Sequence, residues 1–484
     1  MNFTRIRFLV FLALFVAVYR FGPGLAARSG RSPARIRAIL LLLASYVYYC
    51  TWSAPMALLL AAATSAAYLG AKAIESAQSE RVKRFVMSAL VCGLVGVLAL
   101  FKAAPFLHQL IHRDLLVPLG ISYYTFKLVG YVVDVYWGKT AAERDWVSFA
   151  AYVAFFPQIL AGPIQRSEGL LPQIHKPPGP SVGGVVLGSQ RILLGFFKKF
   201  VVADNLAALV DFIYSHLHAP GTPLIAGFYA YTLQLYADFS GLTDLAVGTA
   251  LTLGFQSPEN FMAPFWSATV GEFWRRWHIT LTSWLTDYVF LPLRMATRTL
   301  GNLGLVLSLF VNTVLIGLWH NIDWSFALFG AVHGAYLSVE ALTARMRKRF
   351  FKSHPAAGRA ADWIAPLITF HLVAASFVIF RADNWRNSLY LLSHLGQGIS
   401  APSGEWLAFW QTNARVIRVG LGGYAVMEAA DFVRRRIPQA EAITALPRWG
   451  RWALYSCTGV SFLLMLLLLL TAKAQPNPFI YAVF

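Results

Sequence analysis

Leu303-Gly-Leu-Val-Leu-Ser-Leu-Phe-Val-Asn-Thr-Val-Leu-Ile-Gly-Leu-Trp-His320 combines a lipid-grade body with a titratable end. A helix of about 20 mostly apolar residues crosses a bilayer, so this run reads as a membrane helix that delivers an imidazole at its last residue. Ionisable side chains at membrane depth cost about 2.5–3.5 kcal/mol when charged and are functional candidates for that reason. Histidine lowers that cost by staying neutral, and its pKa lies nearest physiological pH, as a general base requires. Working outward, a second histidine, His278, sits in Glu272-Phe-Trp-Arg-Arg-Trp-His-Ile-Thr-Leu-Thr-Ser-Trp-Leu-Thr-Asp-Tyr288. By composition alone it reads as a satisfied polar residue rather than a catalytic one. Trp274, Trp277 and Trp284 around it read as interface anchors, and Arg275 and Arg276 as snorkelling cations.

The same apolar pattern recurs along the chain. Of 484 residues, 57% are hydrophobic and 13% charged, which excludes an ordinary soluble protein. Candidate spans are Phe3–Tyr19, Ile36–Trp52, Ala54–Ala73, Phe85–Phe101, Leu115–Tyr136, Leu224–Leu253, Leu303–Leu318, Phe326–Leu342, Ile364–Phe380 and Trp452–Leu470, with weaker runs near Gly184–Tyr214 and Val416–Val433. The expectation is an all-α, multipass integral membrane protein of about ten to thirteen helices, with added re-entrant or interfacial segments. Met1–Tyr19 lacks a clean small-residue cleavage pattern and reads as a retained first helix.

Lys and Arg number 41 against 22 Asp and Glu, a net charge of +19. The basic clusters Arg28–Arg37, Arg81–Arg84, Arg345–Lys352 and Arg434–Arg436 fall between apolar runs. That is the pattern of loops held on the cytoplasmic side, with reception of an anionic substrate as the sharper alternative. No soluble basic surface points to nucleic acid. Cys50, Cys92 and Cys457 lie in apolar runs and form no disulfide or metal pattern. His108 and His112 have helical metal spacing but no third ligand nearby, so no metal site is read there.

Three polar stretches interrupt the apolar background. Phe155-Phe-Pro-Gln-Ile-Leu-Ala-Gly-Pro-Ile-Gln-Arg166 is too short and too broken by Pro157 and Pro163 to span. It reads as a re-entrant segment, tolerated where backbone is buried in protein or lines a water-filled cavity. Gly195–Asn205 reads as a helix with Lys198 and Lys199 at an interface. In Tyr231–Asp244, Gln234 and Asp238 share a helical face; they and Asp244 either join helices by hydrogen bonds or orient a catalytic group. His333 reads as a helix–helix hydrogen bond. The aromatic tail with Phe479, Tyr481 and Phe484 is expected to dock rather than fray.

Six motifs in order carry a resemblance: Pro118-Leu-Gly-Ile-Ser-Tyr-Tyr-Thr-Phe126, Phe156-Pro-Gln-Ile-Leu-Ala-Gly-Pro-Ile164, Phe197-Lys-Lys-Phe-Val-Val-Ala-Asp204, Asp238-Phe-Ser-Gly-Leu-Thr-Asp244, Phe273-Trp-Arg-Arg-Trp-His-Ile279 and Leu318-Trp-His320. Together they resemble the membrane-bound O-acyltransferases, in the bacterial branch of alginate O-acetylation, peptidoglycan O-acetyltransferase and D-alanyl transfer proteins. The resemblance implies helices around a central pore and three regions: N-terminal transmembrane helices over 1–114, a catalytic core over 115–345, and C-terminal helices with the aromatic tail over 346–484. It implies His320 as the essential histidine, His278 as the second polar position and Tyr481 as a possible acyl relay. Asp238, Asp244, Arg275, Arg276 and Asn321 are supporting or donor-binding candidates.

The function implied is transfer of an acyl group, with acetyl-CoA as donor substrate and no bound cofactor or metal. The acceptor is an extracytoplasmic polysaccharide such as alginate, reached with an acetyltransferase- or esterase-like partner protein at the bacterial inner membrane. His278 either hydrogen-bonds the developing oxyanion or orients the donor. D-alanyl or other acyl transfer, and a non-enzymatic lipid or solute transporter, are the alternatives. Two departures from the family pattern stand out: Asn321 and Asp323 follow the histidine where Gly is usual, and Arg294-Met295 stand where a Gly pair is typical.

Overall fold

The computed structural model describes residues 6–27, 32–103, 118, 120–436, 446–471 and 479–480. In chain order its helices are α1 (Ile6–Ala27), α2 (Pro33–Cys50), α3 (Ala54–Ser76), α4 (Glu80–Lys102), α5 (Ile121–Tyr136), α6 (Trp146–Ala154), α7 (Ser167–His175), α8 (Val182–Phe196), α9 (Asp204–Ser215) and α10 (Leu224–Thr252). There follow α11 (Val270–Arg276), α12 (Ile279–Leu285), α13 (Leu291–Ala296), α14 (Gly301–His320), α15 (Trp324–Ser353), α16 (Pro355–Arg381), α17 (Trp385–Ser393), α18 (Gly404–Arg436) and α19 (Arg448–Thr471). Among the described residues β-pairing is limited to one isolated bridge, Phe261 with Trp277.

Among the described residues, seven helices are long and apolar enough to cross a membrane: α1, α3, α4, α14, α15, α16 and α19, with α14 extended back to Arg298. The chain is therefore a multipass α-helical membrane protein. Other runs read as spans, such as Leu224–Leu253, form helices that do not meet both criteria.

The chain divides into two compact units. One takes residues 1–196, 242–258 and 437–476. It includes the Pro-broken segment, where residues 155–165 are buried throughout and leave the helical pattern. Backbone freed from a helix needs other partners in an apolar setting. Gln158 N donates to Phe155 O at 3.0 Å, Gly162 N to Gln158 O at 3.0 Å, and Phe156 N to the Ser45 hydroxyl at 3.2 Å. The Gln158 amide donates to Gln165 Oε1 at 2.7 Å and Ser257 Oγ at 2.9 Å. Gly120 fits this loop for two reasons. Its φ is +73°, and a Cβ there would lie 2.0 Å from the Ile159 carbonyl oxygen. The segment is thus a buried, internally bonded turn.

The other unit takes residues 197–241, 259–436 and 477–484 and contains both motif histidines. It opens with a π-helical turn, Phe197–Ala203. Lys198 and Lys199 were expected at an interface; each is 1% exposed instead. Lys198 pairs with Asp431 of α18 at 2.8 Å, and Lys199 lies between Asp238 at 2.8 Å and Asp204 at 2.9 Å. Buried ammonium groups persist only with such partners; Asp204 is local, whereas Asp238 and Asp431 are too far along the chain to be seen as partners from the sequence.

Candidate functional site

Both histidines occupy the ends of helices, and both touch one indole. His320 is the last residue of α14, and the turn after it is set by Asp323, whose carboxylate accepts from Ser325 N at 2.8 Å to cap α15. An Asp at an N-cap satisfies a backbone donor that would otherwise be orphaned. This gives Asp323 a role in starting the next helix; it does not explain Asn321 in the position where Gly is usual. Asn321, within that turn, donates its backbone N–H to Gly317 O at 3.4 Å.

His320 is 5% exposed, with its ring edge-on to Trp319 at 4.5 Å and to Phe380 of α16 at 4.8 Å between centroids. His278 is 1% exposed and meets the same Trp319 ring at 5.6 Å, and Phe239 of α10 at 4.8 Å. The two imidazoles therefore flank a single indole, although 42 positions separate them in sequence.

His278 stands between α11 and α12 with φ +46° and ψ +50°, a left-handed conformation uncommon outside glycine. Asn260 holds that turn. Its carbonyl accepts from Ile279 N at 3.0 Å, and its side-chain Oδ1 receives Thr280 N at 3.1 Å and the Thr280 hydroxyl at 2.9 Å. The same Oδ1 lies 3.2 Å from His278 Nδ1. Burial pulls the His278 imidazole down to about 3, so the ring is neutral at ordinary pH. His278 lies on a segment that none of the seven spanning helices includes.

A third histidine anchors this frame without joining it. Trp274 Nε1 donates to His333 Nδ1 at 3.1 Å, so His333 Nε2 carries the proton and donates to Ser376 Oγ at 2.9 Å. This chain ties α11 to α15 and α16, the interhelical role read from the sequence. Trp274, Trp277 and Trp284 are all buried. They pack the frame and are not interface anchors.

The supporting candidates scatter. Asp238 is buried on Lys199 and accepts the Ile480 backbone N–H at 2.7 Å through its other oxygen. Asp244 belongs to the other unit, ion-paired with Arg191 of α8. Arg276 pairs with Glu272 one turn earlier and Arg275 is exposed. Of the aromatic tail only Phe479 and Ile480 are described: Phe479 is fully buried, its ring 4.8 Å from Lys199 Nζ rather than in a purely apolar setting, and Phe484 lies outside the described residues. Tyr481 lies outside the described residues, as do His108 and His112. Among the described residues, no group of three or more His, Cys, Asp or Glu side chains is placed to hold a metal ion. Sequence reasoning missed Asn260 and the bridging role of Trp319. An asparagine in Pro258-Glu-Asn-Phe261 signals only a loop, and the indole beside His320 was visible but its second neighbour was not.

The model of the membrane-bound O-acyltransferase family, MBOAT, matches residues 143–379. The probable alginate O-acetylase of Pseudomonas aeruginosa is 37% identical over 403 residues, 78% of this chain and 72% of that protein. The peptidoglycan O-acetyltransferase of Helicobacter pylori is 30% identical over 397 residues, 73% of this chain and 72% of that protein. The teichoic acid D-alanyltransferase of Bacillus subtilis is 30% identical over 318 residues, 61% of this chain and 78% of that protein.

Proposed function

The chain belongs to the membrane-bound O-acyltransferase family and is an acyltransferase, and from that premise we propose that it passes acetyl groups from cytoplasmic acetyl-CoA toward hydroxyls of an extracytoplasmic polysaccharide such as alginate. The bacterial inner membrane is the setting this reading requires, and an acetyltransferase- or esterase-like protein outside it completes delivery to the polymer. Family membership sets aside the transporter reading.

The observation that carries the proposal is the pair of buried histidines on the Trp319 indole, within the family-matched residues. In this reading neutral His320 takes the proton of the attacking hydroxyl as its oxygen bonds to the thioester carbonyl. The carbon–sulfur bond then breaks, and the CoA thiolate leaves with that proton from the imidazolium. Ester and free thiol form, and His320 returns to its neutral state. A base in this position contributes about 10²–10⁴-fold. Tyr481 supplies one such hydroxyl if the acetyl group travels through the tail. Asp238 supports the tail at Ile480, Arg275 and Arg276 suit the CoA phosphates, and Asn321 and Asp244 take no defined step.

The test is acetyl transfer from labelled acetyl-CoA by the protein in bilayers, followed as thiol release and ester formation. His320→Ala loses about 10²–10⁴-fold of the rate while inserting normally; full activity in that variant removes His320 from the chemistry. Similarity to a D-alanyltransferase supports a second reading, the same chemistry with a D-alanyl donor. Turnover of a D-alanyl thioester in preference to acetyl-CoA selects it.

A further inference from the structure

Asn260 makes more bonds to the His278 turn than a loop asparagine needs. Its Oδ1 lies 3.1 Å from Thr280 N, a backbone amide that can only donate, so the atom there is the oxygen and not the amide nitrogen. The Thr280 hydroxyl donates to the same oxygen at 2.9 Å. That oxygen also faces His278 Nδ1 at 3.2 Å, where only a proton on Nδ1 makes a hydrogen bond. A neutral imidazole carries one proton. If Nδ1 holds it, Nε2 holds a lone pair.

The backbone shows that the same asparagine also fixes where the ring stands. His278 takes a left-handed φ of +46°, and the bonds from Ile279 N and Thr280 N to Asn260 over-determine that turn. Strain of this kind persists where surrounding structure fixes it, and an observed outlier is a pointer to function. Phe239 and Trp319 stand edge-on to the ring at 4.8 and 5.6 Å and restrict its rotation.

We infer that Asn260 is a positioning residue which fixes the tautomer of His278, so that His278 meets a substrate O–H or N–H as an acceptor through Nε2 and does not donate to an oxyanion. This rests on placing His278 in the acyl-transfer site. Its logic is that of an oriented histidine whose far nitrogen is committed by a partner. Burial, which keeps the ring neutral, agrees with it. The oxyanion donor then has to come from another group.

The test is nitrogen-15 NMR of histidine-labelled protein in bilayers, with the His278 signals identified by their loss in His278→Gln. The expected spectrum at neutral pH has a protonated Nδ1 and an unprotonated Nε2. Asn260→Leu removes the acceptor, so the ring reverts to the Nε2–H tautomer that free histidine prefers. kcat then falls about 10- to 100-fold, the size of loss seen when the partner orienting a metal-bound histidine is removed, with little change in KM. Asn260→Asp keeps an acceptor: it retains the tautomer, restores kcat over the Leu variant and moves the acid limb of the pH profile to higher pH. A protonated Nε2 in the wild-type protein overturns the inference, as does an Asn260→Leu variant with wild-type spectrum and pH profile. If Asn260→Leu does not insert, the wild-type and Asp spectra still decide. Full activity in His278→Gln removes His278 from the site, a separate outcome that leaves the tautomer measurement standing.

Discussion

A buried neutral histidine leaves a trace in the pH dependence of stability. Unfolded, His278 titrates near 6.5; folded, burial holds it near 3. Above about 6.5 neither state binds the proton, and the contribution of the neutral ring is fully present. Below 6.5 the unfolded chain takes up a proton that the folded chain refuses, so stability falls toward pH 3 at about 1.4 kcal/mol per pH unit. His278→Gln removes this term, and its thermal midpoint in detergent is expected to fall less than the wild-type midpoint between pH 7 and pH 5. Parallel curves for the two proteins exclude the burial argument. At this scale the sequence was informative where a residue's chemistry is local. A histidine ending an apolar run is conspicuous in any fold. Asn260 was not, because its value lies in reaching a turn 18 positions later, and Lys199 was not, because Asp238 becomes its partner only after folding.

Among the elements, the antiparallel pair α14 and α15 sets where His320 stands, and it does so by close approach. A Cβ on Gly317 would lie 2.0 Å from the Phe326 carbonyl oxygen, and one on Gly330 would lie 2.4 Å from that of Thr313. Small residues let membrane helices meet at this distance, where dispersion and not the hydrophobic effect holds them together. Gly317→Ala and Gly330→Ala must therefore push the helices apart, and overpacking of this type costs about 1–3 kcal/mol. The expected result is a lower thermal midpoint with acyl transfer reduced at least as much as His320 is displaced. Gly422 of α18 is the control: a Cβ there meets nothing within 4 Å. Gly422→Ala is expected to be neutral or stabilising by up to about 1 kcal/mol, since alanine is the better helix former. Equal damage from all three substitutions refutes close approach as the cause. The apolar runs made these helices readable in advance. The π-helical turn at Phe197–Ala203 was not readable, because a widened turn is imposed by what its buried lysines must reach and has no periodicity of its own.

For the whole chain, the unit that holds the histidines is assembled from three separated stretches, the last of them the terminal residues 477–484. Its tail is built in by charge as much as by apolar contact. Lys199 sits between the carboxylates of Asp204 and Asp238, under the Phe479 ring, and Asp238 spends its second oxygen on the Ile480 N–H. That makes the tail separable into an anchor and whatever Tyr481 does beyond it. Phe479→Ala opens a void beside a buried ammonium, a change that costs about 3–5 kcal/mol for a fully buried ring, and it should lower both the thermal midpoint and acyl transfer. Tyr481→Phe keeps the ring and removes only the hydroxyl, so it should leave the midpoint unchanged. If the tail carries the acetyl group, Tyr481→Phe abolishes ester formation on the polymer while the protein stays as stable as before. If the tail is only a strap, Tyr481→Phe remains fully active and Phe479→Ala is the damaging substitution of the two. Measuring midpoint and transfer together on the two variants separates these outcomes, because anchoring affects stability whereas an acyl relay depends on the hydroxyl alone.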